Sequence, residues 1–494
     1  VPPQRKLFVM EQPTITWFAA LTTYFAYGIL IFAGHVRDFL RRCCKEPKYA
    51  PPPKGMPPLV SDNMDFYNRR LYHRIHDCWN RPVSSCPGAW IDVMERKSVG
   101  YGKPLQFTGK TKRCLNLGSY NYLGFGDPDS PTKPAVLKSL QHYSVATSSE
   151  RSALGTTALH VETEELVARY IGKEASMIFG MGFGTNSTGI PPLIGKGGLI
   201  LSDDMNHKSI VIGARTSGAK VRVFQHNDVE HLEELIREAI VDGQPKTHRP
   251  WTKILIMIEG IYSMEGEMPP LQEIVRLKKK YGCYLFIDEA HSVGAVGPNG
   301  RGICDYMQVD PSDVDILMGT FTKSFGAVGG YIAGDKNLIN YIRKRSAGSA
   351  YSASISPPAC QQIISAISII AGEDGTDLGK TKLRALRENA NYFRKRMMEL
   401  GVHVLGEWDS PVVPVMLYNP AKIPAFSREC YKRNLAVVVV GFPATSLLLS
   451  RTRFCISAAH TIEELEDAAQ KIDEVCDLVG IRYGSRRQVG RQAH

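Results

Sequence analysis

A lysine follows directly after a short apolar run near the middle of the chain. Lys323 lies in the segment Met318–Gly326 (MGTFTKSFG), where hydroxyl-bearing residues and glycines surround it. At the end of a buried strand an amine is partly withdrawn from water, which disfavours its ammonium form and lowers its pKa. A lysine of that kind suits covalent chemistry with a carbonyl group. This run by itself leaves a structural or solvated lysine as the alternative.

An aspartate and a histidine follow a second apolar run, in Phe286–Ser292 (FIDEAHS). Asp288 at a strand end could keep a pyridinium nitrogen protonated, which would make that ring an electron sink. A helix cap or a metal ligand is the alternative use of Asp288. His291, three residues later, is compatible with either use.

Glycines are concentrated in a third segment, Phe179–Asn186 (FGMGFGTN). Glycines before a helix let backbone N–H groups approach a phosphate at the helix N-terminus. The spacing does not fit a nucleotide motif, because Thr185 stands where G-x-G-x-x-G needs its third glycine and no G-K-[ST] follows. Together, a phosphate cradle, an acid for a ring nitrogen and an amine for an aldehyde predict pyridoxal 5′-phosphate as the cofactor.

The surrounding sequence predicts a parallel sheet that positions these groups. Continuous apolar runs separated by helical segments indicate strands buried on both faces, and they lie at Ile254–Ile258, Tyr284–Ile287 and Asp315–Met318. Polar residues follow each run, and open parallel sheets bind ligands at the carboxyl ends of their strands. The sequence therefore predicts an α/β fold with a site at that edge.

The pattern changes after Pro357 and Pro358. Two long helical stretches and three strand-like runs indicate a second, smaller α+β domain. They lie at Ala359–Ala371, Thr381–Leu400, Val412–Leu417, Ala436–Val440 and Arg453–Ser457. A last helix is predicted to begin at Thr461, with Glu464 completing a capping box. Nearer the N-terminus, Asn63–Trp79 is also predicted to be a helix.

A membrane anchor is predicted at the N-terminus. The twenty residues Ile15–Gly34 carry no charge and reach about 30 Å as a helix, enough to cross a bilayer core. The cations Arg37, Arg41, Arg42 and Lys45 that follow place the remaining chain in the cytosol by the positive-inside rule. Polar residues on one side of this helix make an in-plane amphipathic anchor an alternative. A buried helix of a globular domain is a second alternative. Six prolines in 47–58 predict a stiff linker.

Composition excludes several classes of protein. Hydrophobic residues make up 43% and charged residues 22%, which excludes a mainly disordered or fibrous chain. Part of the net charge of +11 lies near the two ends of the chain. The sequence lacks the basic stripe with interleaved aromatic residues that is typical of nucleic-acid-binding proteins. The expected partner of the basic ends is an anionic membrane surface. Eleven cysteines without a CxxC pair indicate reduced thiols rather than disulfides or zinc.

The order of the motifs resembles the fold-type I pyridoxal-phosphate enzymes, specifically the α-oxoamine synthases, over about residues 115–480. Asn116–Gly124 (NLGSYNYLG) is similar to the family's N-Y-L-G motif, and Glu259–Met264 is also family-like. Gly319–Gly326 resembles the lysine-bearing subunits of eukaryotic serine palmitoyltransferases in this family. Val437–Thr445 and Arg451–Thr461 carry the same resemblance.

The resemblance implies a role for each matching residue. Lys323 would bond to the cofactor aldehyde and move the substrate Cα proton, Asp288 would pair with the pyridinium nitrogen, and His207 would stack on the ring. His291 would bond near the cofactor phenolic oxygen or the substrate. The phosphate would be held by Gly182, Phe183, Thr320 and Thr322. Without the resemblance, His207 is an ordinary loop histidine beside acids.

One position departs from the family pattern. Bacterial homodimeric relatives carry an arginine for the substrate carboxylate just before the proline of the segment 441–443, and here that residue is Phe442. An arginine fork binds a carboxylate most strongly, so Arg453 is the leading substitute. Asn121 or a residue of a partner subunit is the alternative.

The resemblance also implies an activity, an assembly and a location. The expected reaction is the decarboxylating condensation of L-serine with palmitoyl-CoA to 3-oxosphinganine, the first step of sphingolipid biosynthesis. The expected partners are a related subunit without the lysine, a small activating subunit and Orm-type regulators, at the endoplasmic reticulum membrane facing the cytosol. Two alternatives stay open: a family member that uses glycine or alanine, and a catalytically silent scaffold subunit.

The N-terminal apolar run, the proline-rich segment and the resemblance together predict a division of the chain. An anchor helix would occupy 1–46 and a linker 47–58. The N-terminal part of the small domain would occupy 59–114, the large cofactor-binding domain 115–350, and the C-terminal small domain 351–494.

Overall fold

The computed structural model describes residues 15–44, 55–57, 62–100 and 104–484. Most of the predicted linker, the boundary at residue 58 and the basic C-terminus beyond residue 484 lie outside the described residues. The division of the chain at residues 114 and 350 stays a prediction.

Two helices and a two-stranded ribbon come first. They are α1 (Trp17–Cys43), α2 (Asp62–Arg70), β1 (Trp90–Lys97) and β2 (Gln106–Asn116). The predicted helix Asn63–Trp79 is wrong beyond Arg70, because the chain continues as two single 3₁₀ turns, Tyr72–Arg74 and His76–Cys78. There the Trp79 ring stacks on Tyr72 and its indole N–H donates to the Val439 carbonyl over 2.9 Å, which turns the chain away from the helix axis.

A seven-stranded, mostly parallel sheet forms the centre, as predicted. Its strands are β3 (Ala175–Phe179), β4 (Leu199–Asp203), β5 (Lys220–Phe224), β6 (Ile254–Glu259), β7 (Tyr284–Asp288), β8 (Ile316–Thr320) and β9 (Gly330–Gly334). They are ordered β3-β9-β8-β7-β6-β4-β5, and only β9 runs antiparallel to its neighbours.

The sheet is buried on both faces. Leu285 and Ile287 belong to one hydrophobic cluster, whereas Phe286 between them belongs to another. Successive side chains of a strand point to opposite faces, so each face has its own core. This explains why the strands read as continuous apolar runs.

Nine helices connect or flank these strands in the described part of the chain. They are α3 (Lys133–Tyr143), α4 (Ala158–Ile171), α5 (Gly182–Gly189), α6 (Lys208–Ser217), α7 (Val229–Asp242), α8 (Leu271–Tyr281), α9 (Ile303–Met307), α10 (Lys336–Arg345) and α11 (Ala347–Ala350).

The C-terminal part contains α12 (Pro357–Ala371), α13 (Leu378–Glu399), β10 (Val412–Tyr418), α14 (Lys422–Lys432), β11 (Leu435–Ala436), β12 (Val438–Val440), β13 (Ser450–Cys455) and α15 (Ile462–Val479). The predicted single strand Ala436–Val440 is wrong, because the run serves two sheets: β11 pairs with β2, and β12 pairs with β13. The Thr461–Glu464 capping box that opens α15 is confirmed.

Helix α1 is long and apolar enough to cross a membrane by length and composition. One of its faces nevertheless packs on the body of the protein. Ala19 joins a buried cluster with Met416 and Tyr418, and the Asn419 side chain donates to the Thr22 carbonyl over 3.3 Å. Farther along, the Asp38 carboxylate pairs with Arg69 of α2.

Candidate active site

The carboxyl ends of four neighbouring strands meet at one edge of the central sheet. Glu259 and Asp288 are the last residues of β6 and β7 and lie opposite each other in the register. Thr320 ends β8 three residues before Lys323, and Asp203 ends β4 four residues before His207. Parallel strands present their carboxyl ends at the same edge, so the fold brings these distant segments together.

Lys323 is half-buried at this edge. Its Nζ lies 5.5 Å from the centre of the Tyr120 ring. Burial lowers the pKa of Lys323 to about 8, although the charges of Asp288 and Glu259 act in the opposite direction. With that pKa about a tenth of this amine is unprotonated at pH 7, and this fraction can act as a nucleophile or a general base.

Asp288 is buried and its carboxylate is held at both oxygens. The Asn186 Nδ2 atom donates to Oδ2 over 2.7 Å, and the Ala290 N–H donates to Oδ1 over 2.9 Å. Because each oxygen retains a lone pair, the carboxylate can still accept a bond from a protonated ring nitrogen.

His207 is linked to the same aspartate through Asn186. The Asn186 Nδ2 atom also donates to Ser209 Oγ over 2.9 Å, and Ser209 Oγ lies 2.7 Å from His207 Nδ1. The His207 backbone N–H donates to the Glu259 carboxylate. Burial lowers the pKa of His207, so its ring is neutral at physiological pH and suited to lie against an aromatic ligand.

His291 is buried beside two tyrosines. Its Nδ1 lies 2.7 Å from the Tyr122 hydroxyl, and its ring packs against the edge of Tyr120 at 5.4 Å between centres. Burial holds the pKa of His291 well below its usual range, so its ring is neutral and one of its nitrogens shares a hydrogen bond with the Tyr122 hydroxyl.

The predicted phosphate cradle is assembled from β8 and the N-terminus of α5. The Thr320 and Thr322 hydroxyls lie 2.9 Å apart. A Cβ added at Gly182 would come within 2.7 Å of Thr320 Oγ1, so only glycine fits there. Helix α5 begins at Gly182, which leaves its N–H and that of Phe183 without intrahelical partners. The Phe183 ring lies edge-on to His207, at 6.1 Å between centres.

Arg453 and Asn121 occupy different environments. Arg453 is buried, donates to the Tyr120 hydroxyl, and stacks its guanidinium 4.8 Å from the centre of the ring that also contacts Lys323. The two amide hydrogens of Asn121 instead go to the Pro87 carbonyl and the Asp127 carboxylate, each over 2.9 Å. Arg453 is thus at the site, whereas the Asn121 amide holds a turn.

Sequence reasoning assigned no role to four residues that organise the site: Tyr120, Tyr122, Asn186 and Ser209. All but Ser209 lie inside motifs that were recognised for other reasons, the N-Y-L-G-like segment and the glycine-rich segment. The sequence signal that could have identified Asn186 is a polar amide at the end of the glycine-rich segment. Its pairing with Asp288, 102 residues away, has no signal in the sequence.

The donor set fits pyridoxal phosphate on three observations. A half-buried amine with a lowered pKa lies beside a fixed carboxylate. A neutral imidazole lies near both groups. The N-terminus of α5 leaves the N–H groups of Gly182 and Phe183 available to an anion, although the Thr320 hydroxyl beside them donates to the Gly329 carbonyl over 2.9 Å.

The sequence model of the family described as aminotransferase class I and II matches residues 112–472. An Arabidopsis thaliana protein named long chain base biosynthesis protein 2a is 56% identical over 95% of this chain and 96% of its own length. Serine palmitoyltransferase 2 of Dictyostelium discoideum is 53% identical over the same shares. The chain belongs to the class I and II aminotransferase family, in its serine palmitoyltransferase branch.

Solved structures agree with this family assignment. A serine palmitoyltransferase structure with pyridoxal phosphate superposes with a TM-score of 0.72 at 27% identity, covering 83% of this chain and 95% of that one. The Sphingomonas wittichii serine palmitoyltransferase gives 0.73 at 25% identity, covering 87% and 100%. The family's fold, a large mostly parallel sheet with smaller flanking sheets, is the fold predicted from the sequence.

Proposed function

We propose that this chain is the catalytic subunit of a serine palmitoyltransferase, an acyltransferase that depends on pyridoxal 5′-phosphate. It condenses L-serine with palmitoyl-CoA to 3-oxosphinganine, carbon dioxide and CoA in the first step of sphingolipid biosynthesis. The observation that carries the proposal is the convergence of Lys323, Asp288 and His207 at one sheet edge. The match over 95% of this chain to a relative named serine palmitoyltransferase 2 supports the same activity.

The cofactor, when bound, supplies a cationic heterocycle that withdraws the charge developing at the substrate Cα. Lys323 would hold its aldehyde and Asp288 its ring nitrogen, with His207 against the ring face. The backbone of Gly182 and Phe183 and the hydroxyls of Thr320 and Thr322 would hold its phosphate. The Asn186 bond keeps Asp288 aimed, because its Nδ2 atom donates to one oxygen of the carboxylate over 2.7 Å.

Three side chains near the reacting carbon have separate tasks in proton transfer and in binding charge. Lys323, with its pKa lowered to about 8, can take the Cα proton and return a proton after decarboxylation. Arg453 would bind the serine carboxylate, with its guanidinium fixed on Tyr120. His291 can hydrogen-bond through Nε2 to the cofactor or substrate while Tyr122 holds its Nδ1.

The decisive experiment is product analysis with the purified membrane complex. Supplied with palmitoyl-CoA and equal concentrations of serine, glycine and alanine, it is expected to form the serine-derived ketone with release of carbon dioxide. Lys323→Ala should abolish the product, whereas Lys253→Ala should not, because that amine bonds to the Leu193 carbonyl before β6, at the opposite sheet edge. A glycine- or alanine-derived product, or turnover by Lys323→Ala, would overturn the proposal.

A partner chain is part of the proposal. Leu154, Met181 and Tyr351 expose 88%, 61% and 87% of their surface, although all are large apolar side chains. Their segments are adjacent, because Glu150 forms a bridge with Ala353 and Gly180 lies close to the Ala353 carbonyl. An apolar surface beside the phosphate cradle fits a related subunit that lacks the lysine. A small activating subunit and Orm-type regulators rest on the sequence resemblance alone.

The membrane position is also a proposal. Contacts between α1 and the body run from Ala19 to Asp38, about 28 Å along the helix. Its other face exposes apolar side chains that include Phe18, Phe25 and Phe32. An in-plane anchor fits these contacts better than a span, because a span would draw the attached strand β10 into the bilayer core. The cations after Gly34 support a cytosolic catalytic body at the endoplasmic reticulum.

A further inference from the structure

A second polar cluster lies behind the candidate site and is centred on His226. This residue follows β5 and is mostly buried, with only 12% of its side chain exposed. Its Nδ1 lies 2.8 Å from Asp203 Oδ1, and its Nε2 lies 3.1 Å from Glu267 Oε2. None of these three residues has a role in the chemistry described above.

The two contacts require both ring nitrogens of His226 to carry protons. A neutral imidazole has one N–H and could donate to only one of the two carboxylates. Burial opposes the charge, but the hydrogen bonds to Asp203 and Glu267 raise the pKa of His226 to about 10. His226 is therefore protonated at neutral pH and joins two carboxylates from different segments.

Asp203 connects this cation to the turn that carries His207. Its Oδ1 also accepts the Met205 N–H over 2.9 Å, and its carbonyl accepts the Asn206 N–H over 3.2 Å. The next residue is His207. The end of β4 is thereby fixed at the turn that carries His207.

Glu267 connects the same cation to a loop that touches Arg453. The 262–267 loop is closed by the Tyr262 N–H, which donates to the Glu267 carbonyl over 2.9 Å. At its tip, the Ser263 carbonyl lies 3.3 Å and Met264 Sδ 3.6 Å from Arg453 Nη1.

The loop is also fixed on the C-terminal sheet. Arg451 Nη1 donates to the Met264 carbonyl over 2.8 Å and pairs with Glu265 over 3.0 Å. The Glu407 N–H donates to the Gly266 carbonyl over 3.1 Å. The 262–267 loop is therefore held between the central sheet, through His226, and the strand that carries Arg453.

We propose that His226 is a positioning residue for the amino-acid substrate. By joining Asp203 to Glu267 it holds the 262–267 loop against Arg453. The loop in turn fixes the position of Arg453, which receives the substrate carboxylate. This inference rests on the proposed function, in which Arg453 binds the carboxylate of serine. Misplacing a binding group by a fraction of an ångström weakens substrate binding without removing any reacting atom.

The test compares His226→Gln with wild type in the purified holoenzyme complex. The variant should raise the KM and the calorimetric dissociation constant for serine about tenfold. Its KM for palmitoyl-CoA and its cofactor absorbance should stay within about twofold, since neither depends on Arg453 and Asp203 still accepts the Met205 and Asn227 N–H groups that fix the turn before His207. His142→Gln, which changes an exposed histidine on α3, is the matched control and should alter none of these values.

A double-mutant cycle separates this role from general destabilisation. If the His226–Glu267 pair transmits the effect, Glu267→Gln alone should raise the serine constants to a similar extent, and the double variant should be no worse than either single variant. Additive losses, or equal losses for serine and palmitoyl-CoA, would overturn the inference. Wild-type complex that does not use serine would instead refute the proposed function, so the two failures are distinguishable.

Discussion

Replacing Asn186 by alanine tests how the site keeps its aspartate in place. The Asn186 side chain is 1% exposed and donates to both Asp288 and Ser209. Removing a buried hydrogen bond to a charged group costs about 1.5–3 kcal/mol. If that loss falls on the charge-stabilised transition state, kcat/KM for serine should drop roughly 10- to 100-fold, at about 1.4 kcal/mol per tenfold.

The assay is steady-state turnover of the purified complex, together with thermal unfolding. The matched control is Asn389→Ala, because Asn389 is equally buried and donates to the Ser457 and His460 carbonyls over 3.0 and 2.8 Å. Both variants should lose similar stability, but only Asn186→Ala should lose kcat/KM on the predicted scale. Turnover of Asn186→Ala within twofold of wild type, at full cofactor occupancy, would refute the claim that Asn186 aims Asp288.

Three further predictions follow from the same geometry. Only the unprotonated amine of Lys323 reacts, and its pKa is lowered to about 8. The rate at which apoenzyme recombines with pyridoxal phosphate should therefore increase with pH and level off above about pH 9. A rate that still increases at pH 10 would contradict this prediction. In Gly182→Ala the added methyl group would clash with Thr320 Oγ1, so this variant should bind the cofactor about tenfold more weakly in a fluorescence titration. In Gly184→Ala the methyl group comes close only to the flexible end of Met181, so cofactor binding should not change. Equal effects of the two variants would argue against the phosphate cradle. Spin labels at positions 18 and 32 of α1 should report equal depths in vesicles if the helix lies in the plane of the membrane, since a span would separate them by about 21 Å.

The sequence by itself determined three neighbouring strands of the central sheet, β6, β7 and β8, and the chemistry at their ends. Runs such as Tyr284–Ile287 are apolar throughout because both faces of the sheet are covered. A polar residue ends such a run at the carboxyl end of the strand, where ligands bind in open parallel sheets, so Asp288 and the segment around Lys323 could be placed from spacing alone. The type of each side chain then limited the chemistry that it could perform.

Only the tertiary structure decided which side chains meet. The bond between Asn186 and Asp288 joins positions 102 residues apart, and the contact between Arg453 and Tyr120 spans 333 residues. No periodicity records such pairs, because each depends on how strands are ordered in the sheet and how the C-terminal part packs on it. The same reason explains the division of Ala436–Val440 between two sheets, since the partner of a strand is chosen by distant chain segments and not by its own side chains.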